Sequence, residues 1–546
     1  MIHRVGCRTA AHPALGPPSG IQVPSLTGTQ PANTVSIRIL TVSNKEVGHD
    51  RVRFGAGEWP MTTSREPRIV IIGAGVSGIA SAITLQRNGF HDFVILEKGS
   101  DFGGVWHWNR YPGLTCDVPS QLYQFGFAPK PDWSHVFAPG PEIQQYLAGV
   151  AEQYGLRPHV RLNSEVVSAE FDENRWRVET GDGTVYDADF VIAATGVLHH
   201  PAMPDIPGLA EFTGDVVHTA RWDDAVRTEG RRIAVIGTGS TGVQVVSALQ
   251  PKATSITHFV RSPQWVIWAP MWLPQPGVVG AVLNRLPQVN QALYQAGMTG
   301  ARVFTDVVTR PSWRRRAVQE YAKLSLRAQV RNPELREQLT PDYQPLCKRQ
   351  VLSGSYYRAL KARNAELVTT GIEAVTPTGI RTADGCHHEV DTIVFATGFK
   401  AHNYMRPMNL VGREGLSIDD AWAKGPRAYR MTAIPGFPNL FTVLGPNSPT
   451  GSIPLHHAAE VTAKYITAWI TRWRAGEFDT VEVTEAATER FEAEVTEALG
   501  PTVWNTGCNS WYFTEGGSID LLPFDRATME SMLAAPDDRD FHLRGA

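Results

Sequence analysis

Two glycine-rich segments carry the plainest chemistry in the chain. Gly73-Ala74-Gly75-Val76-Ser77-Gly78 follows the continuous apolar run Arg68-Ile69-Val70-Ile71-Ile72, as a strand covered on both faces of a parallel sheet requires. Glycines at 73, 75 and 78 permit a tight turn, close approach of backbone to a pyrophosphate, and tight packing of helix on strand. The helix expected through about Asn88 aims its first amides at phosphate. The next apolar run, Phe93–Leu96, ends in Glu97, nineteen positions after Gly78, where a dinucleotide fold places the acceptor for an adenosine ribose hydroxyl. A second copy follows. Ile233–Ile236 repeats the strand, and Gly237-Thr238-Gly239-Ser240-Thr241-Gly242 repeats the turn. The strand after it ends not in an acid but in Arg261-Ser262, again nineteen positions past the last glycine. A guanidinium there pairs with a 2′-phosphate that an acid would repel. Opposite charges at matched positions predict FAD in the first site and NADPH in the second, with hydride passing from nicotinamide to flavin.

These turns need two α/β frames to hold them. The chain has 546 residues, with 51 Lys+Arg against 54 Asp+Glu: room for at least two domains, and no basic excess of the kind a nucleic-acid partner demands. Two strand-plus-turn segments, Val191–Gly196 and Ile393–Gly398, bracket the second glycine turn, each preceded by an aspartate (Asp189, Asp391). They mark where the chain leaves the first domain and returns. The expected fold is α/β, with two Rossmann-like domains, the second inserted in the first, and a helical insertion at about 282–337. The boundaries are 1–66 for a disordered extension, 67–196 for the first part of the FAD domain, 197–381 for the NADPH domain, and 382–546 for the second part of the FAD domain and the C-terminal region. The Pro-, Gly- and Ser-rich start lacks the apolar core of a secretory signal, and Met61 is an expected alternative start of translation. Cys7, Cys116, Cys347, Cys386 and Cys508 are widely spaced with no C-x-x-C, which argues against a disulfide framework, a zinc ribbon or a dithiol redox centre and favours a reducing, cytoplasmic compartment. No metal site is expected. Between Arg261 and Arg285 there is no charge, but prolines 263, 270, 274 and 276 break any spanning helix. This stretch is expected to line an apolar substrate channel, with a peripheral membrane or partner contact as the other reading. Arg314-Arg315-Arg316 is expected to be a solvated face.

Two longer motifs narrow the chemistry. Phe212-Thr-Gly214-Asp-Val-Val-His218-Thr-Ala-Arg-Trp222-Asp223 has every fixed position of F-x-G-x-x-x-H-x-x-x-W-[P/D], and Gly103-Gly104-Val105-Trp106 through Tyr111-Pro112-Gly113 to Asp117 resembles G-G-x-W-x-x-x-x-[F/Y]-P-G-x-x-x-D. From Pro67 to the late 450s the chain resembles the type I Baeyer–Villiger monooxygenases. Within them it looks closest to the branch of 4-hydroxyacetophenone monooxygenase, on the stretches YPGLTCDVPSQLY, PLCKRQVLSGSYYRAL and PGFPNLFTVLGPNSPTG. Leu114-Thr115 departs from the Ala-Arg of cyclohexanone and phenylacetone oxidisers.

The resemblance implies roles residue by residue. Arg349 would be the active-site arginine, stabilising both a flavin C4a-peroxide anion and the adduct it forms with a ketone; Asp117 would orient it. Lys348 would meet the NADPH phosphate. Gly104, Val105, Trp106, Asp117 and Tyr123 would line flavin, and Val166 its adenine side. Thr238 through Gln244, with Arg261 and Ser262, would hold NADPH. Phe212, Gly214, His218 and Trp222 would act at the domain linker. The implied reaction takes a ketone and dioxygen to an ester or lactone, with a sulfide as a second substrate class. The rival readings are a flavin monooxygenase acting mainly on nitrogen or sulfur, a pyridine-nucleotide disulfide reductase, which the missing C-x-x-C disfavours, and a non-catalytic nucleotide-binding protein.

Overall fold

The structure is a computed structural model that describes residues 65–545. The expectations for residues 1–64, Met61 among them, lie outside the described residues. The expected tail stops short of residue 66. Arg65 pairs with Asp479, and its guanidinium carbon lies 3.8 Å from the centroid of the Trp473 ring, a contact that fixes the chain before the first strand.

Five parallel strands build the first sheet, in the order Leu440–Thr442, Phe190–Ala193, Ile69–Ile72, Phe93–Leu96, Val160–Arg161. Five more build the second: Ala365–Val368, Ser255–Phe259, Arg232–Ile236, Thr392–Phe395, Asp215–His218. In each sheet the strand leading into the glycine turn is the central one. Both faces of such a strand are covered, and Ile69–Ile72 is accordingly buried throughout. The chain leaves the first sheet after Ala193, builds the second, and rejoins the first at Leu440. Thr392–Phe395 belongs to the second sheet, so that sheet extends past residue 381, where sequence analysis ended the NADPH domain.

The two frames repeat each other in detail. Each has a three-stranded antiparallel meander ahead of its bracketing strand, Val166–Asp172 to Val185–Ala188 in the first, where Asn409–Val411 adds a fourth strand parallel to Val166–Asp172, and Ile372–Thr376 to His387–Glu389 in the second. The two aspartates noted in the sequence do the same job. Asp189 accepts from the Arg68 amide at 2.8 Å and Asp391 from the Arg232 amide at 2.8 Å, tying each bracketing strand to the start of its glycine strand.

Helices Gly277–Arg285, Pro287–Thr309, Trp313–Gln329 and Pro333–Gln338 fill the interval between strands Val266–Ile267 and Val351–Leu352. Within the arginine run, Arg314 and Arg316 are exposed but Arg315 is buried. Its guanidinium donates to the carbonyls of Val307 (2.8 Å), Val308 and Pro501 (both 3.2 Å), satisfying acceptors at the end of the preceding helix. The run is therefore only partly a solvated face. A second correction concerns the cysteines. Cys347 and Cys508, 161 residues apart, form a disulfide with a Cα–Cα distance of 6.1 Å. Wide spacing in sequence does not prevent meeting in space, and this pairing removes the argument from cysteine spacing for a reducing compartment.

The first turn tolerates no added bulk. A Cβ on Gly78 would lie 1.9 Å from the Gly73 carbonyl oxygen. Gly78→Ala should destabilise the protein by about 1–3 kcal/mol, seen as a lower urea midpoint at unchanged slope; an unaltered midpoint would contradict this packing.

Candidate active site

At the first turn Gly73 has φ +107°, and a Cβ there would meet the Ala194 carbonyl oxygen at 2.5 Å. The helix Val76–Arg87 begins at Gly75 with no side chain capping it and no acid in its first turn, which leaves its N-terminus free for an anion. Gly104 faces Gly75 so closely that a Cβ on Gly104 would lie 2.9 Å from the Gly75 Cα, so the approach needs glycine at 104. Glu97 is buried at the end of Phe93–Leu96, and its Oε2 accepts from the Ala74 amide at 2.7 Å while Oε1 accepts from Gly99 at 2.6 Å. The acid thus ties the glycine turn to the end of the second strand. Val105 and Trp106 open the short helix Val105–Trp108, and the Trp106 indole donates to the Tyr123 hydroxyl at 3.0 Å. Val166 packs its side chain into the core with Val70, Ile72 and Leu96.

The second turn reproduces the first. Gly237 has φ +117°, and a Cβ there would meet the Ala396 oxygen at 2.3 Å; one on Gly242 would meet the Gly237 oxygen at 2.1 Å, while around Gly239 the space is open to 4 Å. Ser240–Leu249 is likewise uncapped by a side chain. Thr238 donates to the Ser262 carbonyl at 2.9 Å. The helix is also joined to the long motif of the first domain: the Tyr111 hydroxyl donates to Gln244 at 3.0 Å and lies 3.4 Å from that of Thr241, and the Gln244 amide donates to the Thr115 carbonyl at 2.9 Å. At the open end two cations gather. Arg261 is exposed with no acidic partner among the described residues. Lys348, whose ammonium lies 4.3 Å from the Tyr343 ring centroid, has its pKa lowered by burial and further by Arg261, against an opposing pull from Asp342. Tyr343 donates to Gln264 at 2.7 Å, which keeps the lysine beside the segment that follows Ser255–Phe259 and carries Arg261. Two cations that repel each other without a ligand gain when an anion sits between them.

Arg349 joins the two frames. It precedes the strand Val351–Leu352 of the inserted region, yet its Nε and Nη2 donate to Asp117 of the first domain at 3.0 and 2.7 Å, and Nη1 donates to the Thr450 carbonyl at 3.1 Å. This bidentate fork fixes the plane of the guanidinium. The Tyr512 hydroxyl is a further hydrogen-bond partner of Arg349; burial pushes that phenol up to about 12, and the guanidinium acts against the rise. About one third of the arginine side chain remains exposed, in a cleft shared with Trp265, Ile267, Leu346 and Lys348. His218 stands apart from this cleft. It is buried at the end of Asp215–His218, where Nδ1 accepts from the Ala220 amide at 3.1 Å and Nε2 lies 3.3 Å from the Thr397 hydroxyl. Burial, then Arg221, lowers its pKa, which favours the neutral ring. Phe212 packs under Gly214, and Trp222 lies against the core of the second frame.

The chain matches, over residues 70–295, the family model described as pyridine nucleotide-disulphide oxidoreductase, a span that holds both glycine turns. It is 49% identical over 88% of its length to 97% of an uncharacterized monooxygenase of Mycobacterium tuberculosis. It is 38% identical over 82% of its length to 87% of a Baeyer–Villiger monooxygenase of Streptomyces coelicolor. The chain belongs to the Baeyer–Villiger monooxygenase family. The fold agrees: a cyclohexanone monooxygenase from Rhodococcus sp. Phi1, solved with NADP⁺, superposes with a TM-score of 0.77 at 30% identity, covering 89% of this chain and all of that one.

The residues of this Baeyer–Villiger monooxygenase fit its two dinucleotides. Two uncapped helix starts offer amides to pyrophosphates, Glu97 lies beside the first turn, and the Arg261–Lys348 pair offers charge to a 2′-phosphate. Thr450 and Tyr512 carry no signal in the sequence. Thr450 acts through its carbonyl, which no side-chain pattern encodes, and Tyr512 lies in a C-terminal segment without a motif, brought to the arginine by the Cys347–Cys508 link four positions before it.

If Arg261 holds the 2′-phosphate, Arg261→Ala should raise the KM for NADPH about 10- to 100-fold, the worth of a lost hydrogen bond to a charged group, and leave that for NADH unchanged. Equal KM values for NADPH in variant and parent would remove Arg261 from the site.

Proposed function

We propose that the chain converts a ketone to an ester or lactone by inserting one atom of dioxygen beside the carbonyl, the other leaving as water at the expense of NADPH. The observation that carries this reading is the guanidinium of Arg349, held by the Asp117 carboxylate and the Thr450 carbonyl at the meeting of the two nucleotide frames. FAD, when bound, supplies the hydride acceptor and the activation of dioxygen.

The chain's own residues handle charge and position. Arg349 stays protonated at every working pH, and Asp117 beside it makes it more firmly so. A permanent cation set in place beforehand stabilises negative oxygen, both the attacking one and the one left when a carbonyl carbon becomes tetrahedral, without reorganising as charge develops. Asp117 balances that cation while the nicotinamide is oxidised. Trp265 and Ile267 give the cleft an apolar wall against which a ketone displaces water. Arg261 and Lys348 draw in the 2′-phosphate.

Within the family, we place the chain near the oxidisers of aryl and aliphatic ketones similar to 4-hydroxyacetophenone monooxygenase, on the three stretches quoted above. The departure at Leu114-Thr115 leaves the contact with the second helix to backbone, since it is the Thr115 carbonyl that binds Gln244. Sulfides are a second substrate class for the same cleft.

Arg349→Ala should lower ester formation by roughly 100- to 1,000-fold while flavin still binds and is bleached by NADPH without air. Full ketone turnover by this variant would refute the role given to Arg349. Intact sulfide oxidation with ester formation lost would show that the arginine serves the ketone reaction in particular.

A further inference from the structure

The apolar side chains left in water are not spread evenly. Of the eighteen large hydrophobic residues exposed among the described residues, thirteen fall between Trp268 and Leu324. Single exposed hydrophobics need no explanation, but a concentration of this kind does. It follows helix geometry. Val278 and Val282 stand one turn apart on Gly277–Arg285, and Val289 and Leu293 one turn apart on Pro287–Thr309; all four, and Leu286 between the two helices, are exposed. The inner sides of the same helices carry Leu283, Tyr294 and Met298, which are buried. Each helix thus has two apolar faces, one in the core and one with no partner among the described residues. From Ser262 to Ala301 the only charged residue is Arg285, so this outer surface lacks the ions that keep an ordinary helix in water.

Aromatic rings and cations are exposed in the same helical region. Trp268 and Trp272 are each about half exposed, and Trp313 is 73% exposed with the Arg314 guanidinium carbon 5.7 Å from its ring centroid. From Ser262 to Asn332 there are nine Arg and Lys against two acids, in a chain whose net charge is −3. Arg315 is buried, Lys323 pairs with Glu320, and Asp525 lies near Arg302 and Arg310. Arg285, Arg314, Arg316 and Arg331 are exposed and form no ion pair among the described residues. An uncharged apolar stripe, with exposed tryptophans and unpaired arginines in the same helical region, matches a bilayer's interface, with acyl chains for the stripe and anionic headgroups for the cations. No helix among the described residues is long and apolar enough to cross a membrane; the geometry is that of an element lying on one.

We infer that the helices Gly277–Gln329, with the Trp268–Leu273 segment leading into them, form a docking face for membranes rich in anionic lipid. The inference rests on exposure and charge and is independent of the ketone chemistry.

The test is flotation of the full-length, flavin-loaded protein with vesicles of phosphatidylcholine alone and with about one third phosphatidylglycerol, at low and high salt. The protein should float with the anionic vesicles, and high salt should weaken the binding. V278S/V282S/W313S should lower binding roughly tenfold or more, and R314E/R316E should abolish the preference for phosphatidylglycerol, both with NADPH oxidation on a water-soluble ketone unchanged. Absence of flotation with either vesicle, or flotation that neither variant reduces, would overturn the inference. So would a dimer in sedimentation velocity that V278S/V282S/W313S dissociates while vesicle binding is absent, since the face would then cover a second copy of the chain.

Discussion

The bidentate pairing of Arg349 with Asp117 is the contact on which the site depends. Neither residue belongs to the same stretch of chain as the other. Asp117 closes the long glycine-tryptophan motif of the first frame, and Arg349 arrives from the inserted region. A cation alone in a half-buried cleft would cost desolvation energy and lack a fixed plane; with the carboxylate it is neutralised in part and oriented. The pair thus ties the two frames together across the candidate site. The C-terminal segment completes it, with Tyr512 against the guanidinium and Cys508 bonded to Cys347, two positions before the arginine.

Around that contact the molecule is a repeat with one informative difference. The two glycine turns, the two clamping aspartates and the two meanders superimpose as a plan, down to the carbonyls of Ala194 and Ala396 that exclude a side chain at Gly73 and Gly237. What differs is the residue at the end of the second strand. Glu97 is buried against the amides of Ala74 and Gly99, whereas Arg261 is exposed next to Lys348. The first charge is built into its turn, and the second is left for a ligand.

Much of this was legible in the sequence because it is local. Strand, turn, helix and terminal charge lie within some thirty residues of one another, and glycine at a fixed offset has a steric cause that can be stated without coordinates. What stayed hidden is non-local. The Cys347–Cys508 bond joins residues 161 apart, and their wide spacing pointed to free thiols. Arg315 sits in a run of three arginines that reads as surface, yet it turns inward because the helix before it ends in unsatisfied carbonyls. Thr450 contributes a backbone oxygen, which its residue type does not announce. The Trp- and Pro-rich stretch divides in a way composition could not show, Trp265 and Ile267 lining the cleft while Trp268, Trp272, Leu273, Val278 and Val282 are exposed.

The central claim is that a fixed cation between two nucleotide frames directs oxygen onto a carbonyl carbon. It is tested most directly by turning over a ketone in an atmosphere of heavy-isotope dioxygen and reading the product's mass. The account predicts an ester or lactone carrying one labelled oxygen, with NADPH consumed in equal amount. NADPH oxidation that yields only labelled peroxide or water, with the ketone recovered unchanged across aryl and aliphatic examples, would contradict it.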